Sequence, residues 1–247
     1  MKTIEQRQKV FEYHEKGLNK TEISKLTNVS RSTIREWLNN PKPIKQSFNP
    51  KNYILENGLE INYSYLLGLY LGDGYIDEMP RTWRLRIFLS DKYEKLNEFV
   101  VTQLKKLFPE NVINPHPHPK HNMITIYVYS NNIPLFFPQI GKGMKHKRKI
   151  KLMEWQEDII VPKFLIMGLF HSDGSYYIRK NNGNGNKYPA YDFRNESDDL
   201  HKIFKKYCEV LGINCTFSTK SKNTHVYKRE DVDRLMEIIG TKEIIVS

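Results

Sequence analysis

The sequence predicts an α+β protein, in which a small all-α unit precedes two copies of one α+β half-domain. Three observations carry that expectation. The segment Leu66-Leu67-Gly68-Leu69-Tyr70-Leu71-Gly72-Asp73-Gly74-Tyr75 returns, recast, as Ile166-Met167-Gly168-Leu169-Phe170-His171-Ser172-Asp173-Gly174-Ser175, and a repeat at this spacing implies two similar structural units. After each copy the apolar periodicity runs through the same order of helix, two strands, helix, two strands, helix. The chain has 247 residues, 39% of them hydrophobic and 12% aromatic, enough to build a core in each unit. The expected layout is an all-α domain over residues 1 to 40 and a linker over 41 to 60. The first repeat then spans 61 to 141, a basic connection 142 to 160, and the second repeat 161 to 247.

Residues 3 to 16 place Ile4, Val10, Phe11 and Tyr13 at helical spacing. Gly17 and Asn19 break that pattern, and Thr21 is a candidate cap for a short helix carrying Ile23 and Leu26. Asn28 suits the left-handed position after it. Ser30 is a candidate cap for a third helix with Ile34, Trp37 and Leu38 on one face. This spacing resembles a helix-turn-helix, whose second helix enters the DNA major groove with its N-terminal residues on base edges. Arg31, Ser32 and Arg35 hold those positions; Arg suits guanine and Ser reads less selectively. Pro41, Pro43, Pro50 and Gly58 mark the following stretch as a linker.

In the first repeat, strands are expected over residues 75 to 77 and 83 to 90, a helix over 91 to 107, strands near 112 to 113 and 123 to 129, and a helix over 133 to 140. In the second, strands are expected over 176 to 179 and 190 to 195, a helix over 198 to 211, strands over 216 to 219 and 224 to 227, and a helix over 231 to 239. His116 and His118 alternate with prolines, so that stretch reads as a loop rather than a metal site. The Asn- and Gly-rich residues 181 to 187 lengthen the first turn of the second repeat, either as a loop that orders on a ligand or as decoration.

The formal net charge of +11 favours a polyanionic partner, most often nucleic acid. Two cysteines exclude a disulfide framework and a four-cysteine zinc site. No stretch approaches the roughly 20 apolar residues of a membrane span, and Met1 to Gln6 are polar, unlike a secretory signal. A reduced, cytoplasmic setting is expected, nucleoid-associated in a prokaryotic host.

Each repeated segment is apolar on nearly all sides, which marks a buried helix. Glycine in a helix interior costs about 1 kcal/mol, and its recurrence as Gly68 and Gly168 is explained by close approach of two helices across a pseudo-twofold axis. Asp73 and Asp173 then end the two helices side by side, with Gly74 and Gly174 suited to the left-handed residue that stops a helix. A carboxylate there meets the negative end of the helix dipole, and a second acid repels it. A divalent cation reverses both penalties, and carboxylate oxygens near phosphate are a usual Mg²⁺ setting.

These residues resemble the LAGLIDADG, or dodecapeptide, family of homing endonucleases in its single-chain form with two motifs. The resemblance covers residues 61 to 245. It implies a pseudo-twofold domain of two αββαββα repeats with saddle-shaped antiparallel sheets, acting as a monomer on double-stranded DNA. The implied activity is metal-dependent hydrolysis of both strands at a specific site, with Mg²⁺ or Mn²⁺ as cofactor. Asp73 and Asp173 are the implied metal-binding acids, with the carbonyls of Gly72 and Ser172 as further ligands. The sixth motif position departs from an acid, to Leu71 and His171. A lysine beside the scissile phosphate is also implied; Lys145 and Lys147 match it in the run from Gly141 to Lys151, and Lys242 holds the analogous place in the second repeat.

Strand alternation gives each sheet an apolar and a polar face. Leu85, Ile87 and Leu89 oppose Arg84 and Arg86, with Phe88 out of pattern. Ile124, Ile126 and Val128 oppose Thr125, Tyr127 and Tyr129. In the second repeat Ile178 opposes Tyr177 and Arg179, Phe193 opposes Arg194, and Val226 opposes His225 and Tyr227. Lys220 and Lys228 extend that polar face, and Asp192 is its main acid. Arg84, Arg86, Tyr127, Tyr129, Arg179, Arg194, Lys220, Tyr227 and Lys228 are the candidate contacts to phosphates and base edges. Two other functions remain open on the same residues: a non-cleaving DNA-binding transcriptional regulator, and a maturase that binds intron RNA.

Overall fold

The computed structural model describes residues 4–40, 48–141, 143–180 and 185–243. The chain divides into two compact units, Met1–Asn49 and Pro50–Ser247. Among the described residues no helix is long and apolar enough to cross a membrane.

The first unit holds α1 (Ile4–Glu15), α2 (Lys20–Thr27) and α3 (Arg31–Asn39). Val10, Ile23, Val29 and Ile34 form its core, with Tyr13, Leu18, Trp37 and Leu38 packed around them. The cap of α2 is Asn19, not Thr21. The Asn19 side chain accepts from the Thr21 and Glu22 amides, and Glu22 accepts from the Asn19 amide at 2.8 Å, a capping box that satisfies orphan donors reciprocally. Asn28 adopts φ 54°, ψ 31°, the left-handed stop that was expected. Ser30 caps α3 through the Thr33 amide. Leu26 does not join the core; it is exposed, and Thr27 and Val29 are buried instead.

The second unit starts inside the expected linker. Pro50, well placed in a first helical turn, opens α4 (Pro50–Glu56), which buries Ile54. Residues 41 to 47 lie outside the described residues. Next come α5 (Glu60–Asp73), β1 (Gly74–Glu78), β2 (Trp83–Ser90), α6 (Glu94–Leu107), β3 (Asn114–Pro117), β4 (Met123–Tyr129) and α7 (Ile133–Phe136). The connection that was expected to be only a linker contains a 3-10 turn at Lys145–Lys147 and α8 (Glu154–Ile159). The second repeat is α9 (Pro162–Asp173), β5 (Gly174–Lys180), β6 (Lys187–Arg194), α10 (Asp198–Val210), β7 (Thr216–Ser218), β8 (Asn223–Val226) and α11 (Arg229–Ile239).

Each repeat forms one four-stranded antiparallel sheet, in the orders β1-β2-β4-β3 and β5-β6-β8-β7. The same order twice is the architecture the repeat predicted. Three strands depart from expectation. β6 starts at Lys187, inside the expected loop of residues 181 to 187, of which 181 to 184 lie outside the described residues. β3 lies at Asn114–Pro117 rather than at Val112-Ile113, so His116 is in a strand and not in a loop. Its prolines are tolerated because β3 is an edge strand, where a missing ladder donor faces no partner. In β5, also an edge strand, Ile178 is exposed rather than turned into a core.

Helices α5 and α9 form the centre of the unit and make its most extensive element contact. Both are buried almost all round. A methyl group on Gly68 would overlap the Leu165 carbonyl and stand 2.8 Å from the Leu169 nitrogen; one on Gly168 would overlap the Tyr65 carbonyl and stand 3.1 Å from the Gly68 Cα. The two glycines therefore face each other, as the repeat implied. Gly74 and Gly174 correct the other glycine expectation. Their φ values are −90° and −89°, extended rather than left-handed, because each helix runs directly into a strand. Glycine is required there for space: a Cβ on Gly74 would sit 2.6 Å from the Tyr70 Cα, and one on Gly174 would sit 2.6 Å from the Phe170 carbonyl.

Candidate active site

The two helix ends converge. A Cβ on Gly72 would meet the Ser172 side chain and stand 2.6 Å from the Asp173 Oδ2. Asp73 and Asp173 share one cleft of about 570 Å³, lined also by Tyr75, Phe88, Lys145 and Arg194. The repeat alone predicted this meeting of acids 100 residues apart in sequence.

Two lysines complete the centre. Lys145 Nζ donates to the carbonyls of Tyr70, Leu71 (3.0 Å) and Gly72 (2.7 Å) at the end of α5. Lys242 Nζ donates to the Ser172 carbonyl at 2.7 Å, at the end of α9. Each ammonium caps carbonyls in the last turn of its helix, where intrahelical donors run out; the Tyr70 carbonyl also accepts from the Gly74 amide. The sequence shows why both arrive. After α7 the chain is pinned to α5, because Tyr70 Oη donates to the Gln139 carbonyl at 2.9 Å and Gln139 Nε2 donates to the Lys151 carbonyl at 3.0 Å. After α11 it is pinned to β6, because Tyr191 Oη donates to the Gly240 carbonyl at 2.6 Å. Gly240 has φ 63°, a left-handed backbone that favours glycine. Lys147 lies exposed on the same 3-10 turn as Lys145 and does not line the cleft.

The electrostatics follow from burial. Asp73 is pushed up to about 7, first by burial, then by the neighbouring charge of Asp173; Lys242 and Lys145 oppose the shift. Asp173 is also raised by burial, against a hydrogen bond from Asn195. Lys145 is pushed down to about 7 by burial, against the attraction of both acids. Lys242 moves down for the same reason. Desolvation outweighs like-charge repulsion at Asp73, and two ammonium groups already offset part of the negative charge that a cation was invoked to relieve.

Asn195 was not foreseen. Its Nδ2 donates to Asp173 Oδ2 at 2.9 Å, and the contact crosses 22 residues from the end of β6, so no local pattern announces it. His171, the departure at the sixth motif position, is buried with Nδ1 at 3.1 Å from the Tyr65 hydroxyl. Burial, then the charge of Lys242, hold it down to about 3, which keeps it neutral as a packing residue between α5 and α9.

The two carboxylates fit a hard divalent cation, whereas the Gly72 and Ser172 carbonyls accept from Lys145 and Lys242. Among the described residues no group of three His, Cys, Asp or Glu side chains could hold a metal. A cation at the acid pair would therefore keep positions for water or for phosphate oxygens, as Mg²⁺ commonly does.

The polar sheet faces are as the alternation implied. Leu85, Ile87 and Leu89 are buried while Arg84 and Arg86 are half-buried, and Tyr127 and Tyr129 lie opposite Arg86 and Arg84. Arg179, Arg194, Lys220, Tyr227 and Lys228 are exposed in the second repeat, and Arg31, Ser32 and Arg35 are exposed on α3. The sequence reading missed the acid of the first face, Asp77, which lies between Arg84 and Arg86.

No family model and no curated protein sequence matches the chain. Solved structures do. The homing endonuclease I-DmoI in complex with DNA and Mn superposes with a TM-score of 0.51 at 15% identity, over 74% of this chain and 97% of that one. A structure of mesophilic variants of I-DmoI gives 0.50 at 15% identity over the same shares. The homing endonuclease I-WcaI bound to its DNA recognition sequence gives 0.49 at 14% identity, over 81% of this chain and 100% of that one. The fold is thus the pseudo-symmetric LAGLIDADG fold of homing endonucleases.

Proposed function

We propose that the protein is a site-specific endonuclease that hydrolyses both strands of double-stranded DNA with a divalent cation, Mg²⁺ or Mn²⁺, held between Asp73 and Asp173. The observation that carries this reading is the meeting of two half-buried carboxylates and Lys145 in one cleft at the joined ends of α5 and α9, with half-buried Lys242 bound to the Ser172 carbonyl beside it. The likeness of fold to an endonuclease solved with DNA and Mn supports it, as does the net charge of +11.

When bound, the cation neutralises phosphate charge and lowers the pKa of an attacking water. Asp73 and Asp173 would hold it, joined by the Gly72 and Ser172 carbonyls where Lys145 and Lys242 release them. Asn195 orients the Asp173 carboxylate. Lys145, with its ammonium drawn down to about 7, gives or takes a proton near neutral pH at the wall of the cleft, where general acid–base groups are effective. Lys242 serves the second half of the centre. Arg194, exposed at the mouth of the same cleft, meets the phosphate backbone, and exposed Lys147 is assigned to backbone contact rather than chemistry.

Incubation of a randomised double-stranded DNA library with Mg²⁺ tests the reading. Double-strand breaks at a defined sequence are expected from the wild type and none from Asp73→Asn/Asp173→Asn. Equal cleavage by both proteins overturns the two-acid mechanism. Sequence-specific binding with no break in any of Mg²⁺, Mn²⁺ or Ca²⁺ favours a DNA-binding regulator, a reading to which the helix-turn-helix spacing of α2 and α3 lends weight.

A further inference from the structure

The register of the first sheet sets Asp77 opposite Arg84, and Tyr75 opposite Arg86. On the polar face one carboxylate, largely shielded from solvent, meets both guanidinium groups. Arg84 Nε donates to Asp77 Oδ2 at 3.1 Å, Arg86 Nη2 donates to Oδ1 at 3.0 Å, and Arg86 Nε stands 2.8 Å from Oδ2 as an ion pair. Rings complete the clamp: the Arg86 guanidinium lies 5.2 Å from the Tyr75 centroid and 5.4 Å from that of Phe88, and Arg84 lies 5.9 Å from that of Tyr129.

A sheet that only attracts phosphate gains nothing from a carboxylate on that face. The acid subtracts charge where the partner is anionic and removes the freedom of two side chains that otherwise follow the backbone loosely. It does fix where the unused Nη donors point. A guanidinium gripped on one edge presents its other edge as a rigid fork, the arrangement that recognises guanine O6 and N7.

The second sheet has an acid on its polar face with a different set of partners. Asp192 accepts from Tyr177 Oη at 3.0 Å and Asn223 Nδ2 at 2.8 Å, with His225 Nδ1 at 2.8 Å. Its partners are a phenol, an amide and an imidazole, with no arginine among them. One cation of that face, Arg179, rests on the Tyr227 ring at 4.5 Å, and no carboxylate clamps it among the described residues.

We propose that Asp77 is a positioning residue for target recognition, fixing Arg84 and Arg86 as guanine readers, so that the target half under the first sheet carries guanines at the base pairs these arginines face. This rests on the double-stranded DNA reading above. It assigns to the two repeats unequal ways of reading DNA behind one shared centre, with the stricter reading in the first half.

Selection of bound duplexes from a randomised library, followed by sequencing, tests it on the full-length protein. The wild type is expected to retain a pair of guanines on one side of the target centre. Asp77→Asn is expected to bind arbitrary DNA at least as tightly, having lost a negative charge, while its preference for those guanines falls about tenfold or more. Arg84→Lys/Arg86→Lys, which keeps both charges, is expected to lose the same preference by a larger factor than it loses arbitrary-sequence affinity; Asp77→Glu is expected to restore part of the preference that Asp77→Asn loses. Unchanged guanine preference in Asp77→Asn overturns the role of Asp77 alone. A wild-type target with no guanine in that half overturns the proposal while leaving DNA cleavage intact. Failure of the wild type to select any sequence overturns site-specific recognition altogether.

Discussion

Gly68 and Gly168 show how a single missing side chain sets the geometry of the centre. Their flat helix surfaces let two backbones touch, and the touching helices end with Asp73 and Asp173 in one cleft. An added methyl group meets main-chain atoms here, which cannot rotate away as a side-chain tip does. Gly68→Ala is therefore expected to destabilise the folded protein by about 2–4 kcal/mol, in the upper part of the usual range for an inserted methyl in a core or beyond it, as read from urea denaturation. Gly168→Ala is expected to act alike. Because both substitutions push on the same contact, their combination should cost less than the sum. A change within about 0.5 kcal/mol for either single variant contradicts the close approach. These glycines were legible in the sequence because a helix-breaking residue recurred at one position of a repeat. Asn195 and Asp77 were not, since each acts through a partner that only folding brings near. Gly74 and Gly174 were legible in identity but misread in purpose: the space beside Tyr70 and Phe170, rather than a left-handed turn, requires them.

At the scale of elements, legibility followed the strength of the pattern. β2 and β4 lie where alternation put them, at Trp83–Ser90 and Met123–Tyr129, because one face packs on helices and the other does not. α4 and α8 escaped notice because they are short, and their stability comes from burying Ile54, Gln156 and Ile159 rather than from local propensity. β3 was displaced because prolines mask a strand that only its edge position permits. The helices of the first unit were read correctly from their caps, apart from the shift from Thr21 to Asn19. Their function is a question for α3, whose N-terminal residues Arg31, Ser32 and Arg35 are exposed. If α3 enters a major groove, Arg31→Ala/Arg35→Ala is expected to weaken target binding about tenfold or more, and to lessen the salt dependence of binding wherever either arginine also meets phosphate. Single-turnover cleavage at saturating protein should be unchanged, because the acids lie in the other unit. Fluorescence anisotropy at several salt concentrations measures the first two effects. Unaltered affinity removes α3 from the interface.

For the molecule as a whole, the centre exists only where the two repeats meet, so its charge balance is a property of the assembled chain. Asp73, with its pKa raised to about 7, holds a proton in the folded protein between about pH 4 and pH 7 that the unfolded chain has released. The folded state binds more protons across that window, so its stability relative to the unfolded state falls as pH rises through it. Asp173 acts in the same direction. Lys145, drawn down to about 7, gives the opposite slope above neutrality: the unfolded chain there retains a proton that the folded protein has lost, and stability rises with pH. The metal-free protein is thus expected to show a minimum near pH 7 in the part of its stability that comes from this centre. A divalent cation binds the ionised acids and stabilises the folded state by mass action, so Mg²⁺ should raise the midpoint of unfolding most at pH 7 to 8 and little at pH 5, where protonated Asp73 competes. Asp73→Asn/Asp173→Asn removes both the acid-side slope and the Mg²⁺ dependence. Thermal denaturation in chelator and in Mg²⁺ at pH 5, 6, 7 and 8 reads all of these effects. A Mg²⁺ stabilisation equally large at every pH, or undiminished in the double variant, means that the cation is held elsewhere than between the two acids.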